Sequence, residues 1–201
     1  MAVPPLVLAP LVLASASPRR RDLLDQIGIR PAEIRAAELD ETPLKGELPR
    51  ALAARLSQAK ARAVAQQRPD AMVLAADTVV ALGRRILPKA ESDAEVRHCL
   101  GLLSGRRHRV LTGLCLIHPD GRTVSRTVES ILRFRRLDDA EIAAYLRCAE
   151  GLGKAGGYAI QGRAAMFVAW LGGSYSNVVG LPLAETAQML RGFGYPLWPE
   201  N

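Results

Sequence analysis

The chain has 201 residues, of which 49% are hydrophobic and 23% are charged, so its composition is that of a folded globular protein and not of a disordered one. Its 27 lysine and arginine residues outnumber 20 acidic residues and give a net charge of +7. The surplus is spread over both halves of the chain, and only 4% of the residues are aromatic. This pattern disfavours a nucleic-acid-binding protein and favours a surface that attracts small anions.

The N-terminal stretch is apolar but carries prolines at positions 4, 5 and 10 and no basic residue. We therefore interpret residues 1–10 as a short leader before the first strand, and not as a signal peptide. No later stretch reaches the roughly 18 apolar residues of a membrane span. Three widely spaced cysteines show no metal-ligand spacing. We expect one domain over residues 1–201, located in the cytoplasm and without membrane contact.

Apolar runs alternate with helical patterns along the chain. The pattern predicts strands at residues 11–14, 33–37, 72–82, 109–118, 123–135, 158–160 and 166–171. It predicts helices at residues 18–27, 50–67, 92–103, 138–148 and 182–191. The turn Pro119-Asp120-Gly121 joins two long strands into an antiparallel hairpin. The order of elements indicates an α/β fold with a mixed sheet flanked by helices.

A Ser/Arg-rich segment, SASPRRR from Ser15 to Arg21, stands where the first strand gives way to the first helix. Ser17 suits the N-cap position and Pro18 the first helical position, which by itself requires no ligand. The same arrangement offers backbone N–H groups, serine hydroxyls and an arginine to a phosphate. The residues alone leave both interpretations open.

An acidic residue, Asp77, interrupts the apolar run of the 72–82 strand. A buried carboxylate is costly unless it is paired, hydrogen-bonded or bound to a metal. The run resumes directly after Asp77, which favours a metal ligand or a general base over a cap at a strand end. Glu41, Lys60 and Lys89 would complement it with an oxygen ligand for Mg²⁺ and with ammonium groups for phosphate oxygens. Their spacing alone does not show that they converge.

Two glycine-rich stretches, KAGGYAIQG from Lys154 to Gly162 and GSYSNVVGLPL from Gly173 to Leu183, allow tight turns and close backbone approach. They fit ordinary loops as well as a ligand site. Gln161 offers a hydrogen-bond donor and an acceptor in one group, which suits the edge of a nucleobase. No GxxxxGK[ST] or GxGxxG sequence accompanies them.

Taken in order, LASASPRR, the segment around Lys60, AADTVV, LLSG, KAGGYAIQG and GSYSNVVGLPL resemble the Maf family of nucleoside triphosphate pyrophosphatases. The KAG-Y-IQG variant is similar to the branch that acts on dTTP and UTP. The resemblance implies an elongated central sheet with two lobes around a nucleotide-binding cleft, as in Maf-like and ITPase-like proteins. It also implies a homodimer, a divalent cation (Mg²⁺ or Mn²⁺) and hydrolysis to a monophosphate and pyrophosphate.

The same resemblance assigns roles to individual positions. Asp77 corresponds to the proton acceptor and, with Glu41, to a metal ligand. Specificity for the base falls to Arg19, Thr78 and Gln161. Phosphate or metal binding falls to Ser15, Arg20, Glu41, Lys60 and Lys89. The chain departs from the family where Pro88-Lys89-Ala90 replaces the usual Glu-Lys-Pro. Two alternatives stay open: another substrate such as methylated GTP, and a regulatory binding protein linked to septum formation.

Overall fold

A mixed β-sheet of seven strands is the centre of the computed structural model, which describes residues 9–198. The strands are β1 (Leu11–Leu13), β2 (Glu33–Ile34), β3 (Met72–Leu82), β4 (Arg85–Leu87), β5 (Lys89–Ala90), β6 (Arg107–Ile117), β7 (Thr123–Phe134), β8 (Lys154–Ala155) and β9 (Val168–Gly172). The helices are α1 (Pro18–Gln26), α2 (Pro49–Gln67), α3 (Asp93–Leu103), α4 (Asp139–Leu146), α5 (Tyr175–Val179) and α6 (Leu183–Gly192), with a 3-10 helix at Arg163–Phe167.

The main sheet has the strand order β2-β1-β3-β6-β7-β9, and β4 pairs with β3 outside this path. Strand β1 is parallel to both β2 and β3, whereas the other pairs in the main sheet are antiparallel. Strands β5 and β8 form a separate two-stranded sheet. The predicted mixed α/β fold is confirmed.

Helices cover both faces of the sheet because side chains alternate along its buried strands. On β3, Val73 and Val79 belong to the apolar clusters beneath α2. Leu74 and Val80 belong to the larger cluster on the opposite face, which contains residues of α1, α3, α4 and α6. The long apolar strand predicted at 72–82 is therefore buried on both faces.

Two of the predicted strands are lost or much shortened in the structure, whereas the bounds of the others shift by at most two residues. The segment 158–160 is a loop, because Gly156 and Gly157 adopt positive φ angles of 69° and 71° and turn the chain away from an extended path. The predicted strand 33–37 is reduced to Glu33–Ile34. The short helix α5 lay outside the predicted elements, and Ser174 caps it by accepting a hydrogen bond from the Asn177 N–H.

Gly113 determines how closely α2 approaches the sheet. It lies on β6 directly opposite Asp77 on β3. A Cβ atom at this position would lie 2.1 Å from the backbone oxygen of Ala53 and 2.7 Å from Ser57 Oγ, both on α2. Ala53, Ser57 and Lys60 follow one another at helical spacing. The close contact of α2 with Gly113 therefore places Lys60 next to Asp77.

No helix within residues 9–198 is long and apolar enough to cross a membrane.

Substituting Gly113 with alanine tests this contact. The added methyl group must push α2 away from β6, and overpacking of this kind costs about 1–3 kcal/mol. We expect urea unfolding to report a loss of that size. Gly101→Ala is the matched control, because Gly101 lies exposed in α3 and a methyl group added there would meet no atom within 4 Å. The control should be neutral or slightly stabilising, and equal losses for the two variants would contradict the packing argument.

Candidate functional site

A cleft of about 610 Å³ opens where the end of β1, the start of α1, the middle of β3 and the loop after β8 meet. All nine predicted site residues line it: Ser15, Arg19, Arg20, Glu41, Lys60, Asp77, Thr78, Lys89 and Gln161. They come from distant parts of the chain, so the structure supplies the convergence that the spacing did not show. Their individual roles stay predictions.

Charged side chains of alternating sign form one side of the cleft. Asp77 is 3% exposed and Lys60 is 7% exposed. The Lys60 Nζ atom lies 2.5 Å from Asp77 Oδ1 and 2.5 Å from Glu41 Oε1. The second carboxylate oxygen of Glu41 pairs with the ammonium of Lys89. Two carboxylates and two ammonium groups therefore balance each other here.

Glu41 stays ionised in this cluster. Burial by itself would raise the pKa of its carboxyl group. The hydrogen bonds and positive charges of Lys60 and Lys89 outweigh that effect and hold the pKa of Glu41 below its usual range. The group consequently offers negatively charged oxygens at neutral pH.

Arg20 organises the opposite side of the cleft. Its Nε donates to the carbonyl oxygen of Gly180 at 2.8 Å, its Nη1 to Ser15 Oγ at 2.9 Å and its Nη2 to Thr78 Oγ1 at 3.2 Å. Burial lowers the pKa of Arg20, and the charge of Asp77 opposes that effect. Arginine remains cationic at neutral pH, so this side carries a fixed positive charge.

Serine residues shape the backbone that leads into α1. Ser17 occupies the N-cap position with Pro18 as the first helical residue, as predicted, but the Ser17 side chain makes no capping hydrogen bond. Ser15 Oγ instead accepts hydrogen bonds from the Ser17 N–H at 3.2 Å and from the Arg20 side chain. Ser15 thus links the entry to α1 with the guanidinium of Arg20.

Two charged residues that line the cleft, Lys154 and Glu150, were missing from the predicted site. Burial lowers the pKa of Lys154, and the positive charge of Arg19 lowers it further. The sequence did hold a signal for Lys154, because lysine occurs only four times among 27 basic residues. The cleft is lined by five cationic and three anionic side chains. This surplus of positive charge suits a polyanionic ligand.

The loop that carries Gln161 is anchored on both sides. The Tyr158 hydroxyl lies 2.9 Å from His108 Nε2. The Ala159 N–H donates to the Tyr145 hydroxyl at 3.1 Å. Gly162 follows directly, and a Cβ atom there would lie 2.1 Å from a carboxylate oxygen of Glu150. The backbone on both sides of Gln161 is therefore held in place.

Comparison with known proteins shows the family to which the chain belongs. Residues 10–193 match the Maf-like protein family, and the chain belongs to that family. A dTTP/UTP pyrophosphatase of Paramagnetospirillum magneticum is 64% identical over 94% of this chain and 99% of its own length. Proteins of the same name from Rhodospirillum rubrum and Sphingopyxis alaskensis are 62% and 58% identical, over 92% and 93% of this chain and over 89% and 98% of their own lengths.

A solved structure of a nucleoside-triphosphatase, described as a dITP/XTP pyrophosphatase, from Mycobacterium abscessus aligns with a TM-score of 0.46 and 20% sequence identity. The alignment covers 91% of this chain and 96% of that one.

Replacing Lys60 with methionine removes the shared ammonium and leaves two partly or fully buried carboxylates facing each other. Breaking a buried ion pair from one side costs about 3 kcal/mol, and we expect that loss in the free energy of unfolding at pH 7.5. Adding Asp77→Asn should recover most of it, because one of the unpaired charges is then removed. The control is Lys45→Met in the exposed loop, with an effect within about 0.5 kcal/mol. Equal effects at both lysines would refute the pairing.

The burial of His108, which contacts the Tyr158 hydroxyl, predicts a pH dependence of stability. Burial lowers the pKa of His108 from 6.5 to about 4. Between these values the unfolded chain binds a proton that the folded chain does not, so stability falls as the pH falls from 6.5 towards 4. Relative to His108→Gln, the wild type should lose about 2–3 kcal/mol between pH 7.5 and pH 4.5 in urea unfolding. Parallel curves for the two proteins would contradict this.

Proposed function

We propose that this protein is a nucleoside triphosphate pyrophosphatase that hydrolyses dTTP and UTP to the monophosphate and pyrophosphate. The observation that carries the proposal is the row of ion pairs that runs from the buried Asp77 and Lys60 through Glu41 to the exposed Lys89, along a cleft with surplus positive charge. The names of relatives 58–64% identical to nearly the whole chain support the substrate.

Asp77 is the candidate general base. Its carboxylate is paired with Lys60. A phosphate oxygen that draws the Lys60 ammonium towards itself leaves Asp77 Oδ1 free to accept a proton from a water molecule. That water attacks the α-phosphorus, the bond to the bridging oxygen breaks, and pyrophosphate leaves. Arg20, Lys60 and Lys89 stabilise the negative charge that develops on the phosphates.

A divalent cation fits the acidic side of this cleft. The carboxylates of Asp77 and Glu41 converge on one point, which the Lys60 ammonium marks at 2.5 Å from each. No group of three or more His, Cys, Asp or Glu side chains suited to a metal occurs among residues 9–198. Mg²⁺ is commonly held by one or two carboxylates together with substrate phosphates. Asp77 and Glu41 would hold Mg²⁺ or Mn²⁺ once a phosphate has drawn the Lys60 ammonium away from them, and the cation would polarise the phosphoryl oxygens.

Base selection is assigned to Arg19, Thr78 and Gln161, which all line the cleft. These side chains offer hydrogen-bond donors and acceptors, whereas a purely apolar pocket would not distinguish bases of similar shape. Turnover of dTTP, UTP, CTP and methylated GTP separates this proposal from the methylated-GTP alternative. A preference for the purine would refute the substrate assignment. The homodimer, the cytoplasmic location and the alternative of a septum-linked binding protein stay predictions from the family resemblance.

Asp77→Asn tests the chemistry. Loss of a general base costs about 10²- to 10⁴-fold in rate, and we expect that loss in pyrophosphate release from UTP. Asp22→Asn is the control, because Asp22 is exposed on α1 outside the cleft. In ¹⁸O-labelled water the label should appear in the monophosphate. Full activity of Asp77→Asn, or label in pyrophosphate, would overturn the mechanism.

A further inference from the structure

Thr78 lines the cleft, and its hydroxyl group is held by two neighbours. Arg20 Nη2 lies 3.2 Å from Thr78 Oγ1, and Thr112 Oγ1 lies 2.9 Å from it on the adjacent strand β6. A hydroxyl group has one proton to donate and two lone pairs. Whether Thr78 presents its proton or a lone pair to a ligand depends on which of them are used by Arg20 and Thr112.

The proton of Thr112 is committed to a carbonyl group. Thr112 Oγ1 lies 3.1 Å from the backbone oxygen of Asn177, which can only accept. Both residues are 0% exposed, so water cannot take the place of either partner. If Thr112 turned its proton towards Thr78 instead, a buried carbonyl oxygen would lose this hydrogen bond, which is unfavourable. Thr112 therefore donates to Asn177.

Asn177 cannot readily move away from Thr112. Its Nδ2 donates to the backbone oxygen of Val110 at 3.1 Å and to Ser130 Oγ at 2.9 Å. Ser130 in turn donates to the backbone oxygen of Ser174, the residue that caps α5. These contacts fix the carbonyl group on which Thr112 depends.

The direction of the remaining bonds follows. A guanidinium group has no acceptor, so Arg20 donates to Thr78. The hydroxyl proton of Thr112 is donated to the Asn177 carbonyl group. In the 2.9 Å contact between the two threonine hydroxyls, Thr78 is therefore the donor and Thr112 the acceptor. Thr78 can therefore only accept a hydrogen bond from a ligand, through its remaining lone pair.

We propose that Thr112 is a positioning residue that makes Thr78 an acceptor, and that this selects nucleobases with an imino N–H donor. Uracil and thymine carry N3–H, whereas N3 of cytosine is an acceptor and would face the Thr78 oxygen without a proton between them. The inference rests on the proposed function and deepens it, because it gives a physical reason for choosing UTP over CTP.

Binding of non-hydrolysable nucleotides tests this separately from catalysis. We would measure dissociation constants for α,β-methylene-UTP and α,β-methylene-CTP by calorimetry, with the wild type, Thr112→Val and Thr112→Ser. One hydrogen bond corresponds to about a tenfold change in affinity. The preference for the uracil analogue should fall about tenfold in Thr112→Val and be retained in Thr112→Ser, whose hydroxyl can make the same bonds. A general loss of stability would weaken both analogues alike and leave the ratio unchanged.

A methylated base provides a second measurement that needs no variant. Methylation of uracil at N3 removes the donor, whereas methylation at C5 adds the same volume and leaves the donor in place. The wild type should bind the N3-methyl analogue at least tenfold more weakly than the C5-methyl analogue.

An unchanged preference in Thr112→Val, or equal binding of the two methylated analogues, would overturn the role of Thr112 and Thr78 while leaving the proposed hydrolysis intact. Selective binding without any hydrolysis of UTP would overturn the proposed function and support the inference. Failure of every analogue to bind would overturn both.

Discussion

The buried ammonium of Lys60 is the contact on which the acidic side of the cleft depends. It joins Asp77 in the centre of the sheet to Glu41 in the loop before α2. Without a cation between them, two carboxylates so close together, one of them buried, would repel each other. The helix that carries Lys60 can lie this close because Gly113 has no side chain. One glycine and one lysine thus allow an acidic residue to occupy the middle of an apolar strand.

The two sides of the cleft differ in how firmly their side chains are held. On the side of Lys60, the side chains are held by ion pairs. A phosphate can replace a carboxylate as the partner of an ammonium group, so these contacts can be exchanged. On the side of Arg20, the chain of hydrogen bonds through Thr78, Thr112 and Asn177 runs into the core and is fully buried at its inner end. Buried hydrogen bonds are costly to break. The side chains on that side, Arg20 and Thr78 among them, are therefore held in fixed positions.

The secondary structure was largely readable from the sequence where apolar residues recur with a clear period. Strand β3 has the predicted bounds, and α2 begins one residue earlier than predicted. The failures occurred where glycine or short length weakens the pattern, as in the loop at 158–160 and in α5. The motifs, together with the family resemblance, also pointed to nine residues that line the cleft. It did not reveal Thr112 or Asn177, because an isolated threonine in a strand and an asparagine in a loop motif resemble ordinary structural residues.

Residue types and their local order were enough to indicate a mixed α/β fold, an acidic residue at an unusual place in a strand, and membership of a family with a known chemistry. They were enough because period, capping and motif are properties of neighbouring residues. The pairing of Lys60 with both carboxylates and the direction of the hydrogen bonds at Thr78 are not properties of neighbouring residues in the sequence. They join residues that are 17 to 65 positions apart, from Lys60 and Asp77 to Thr112 and Asn177. Such contacts exist only after the sheet and helices have packed, because packing alone removes the water that would otherwise satisfy each group separately.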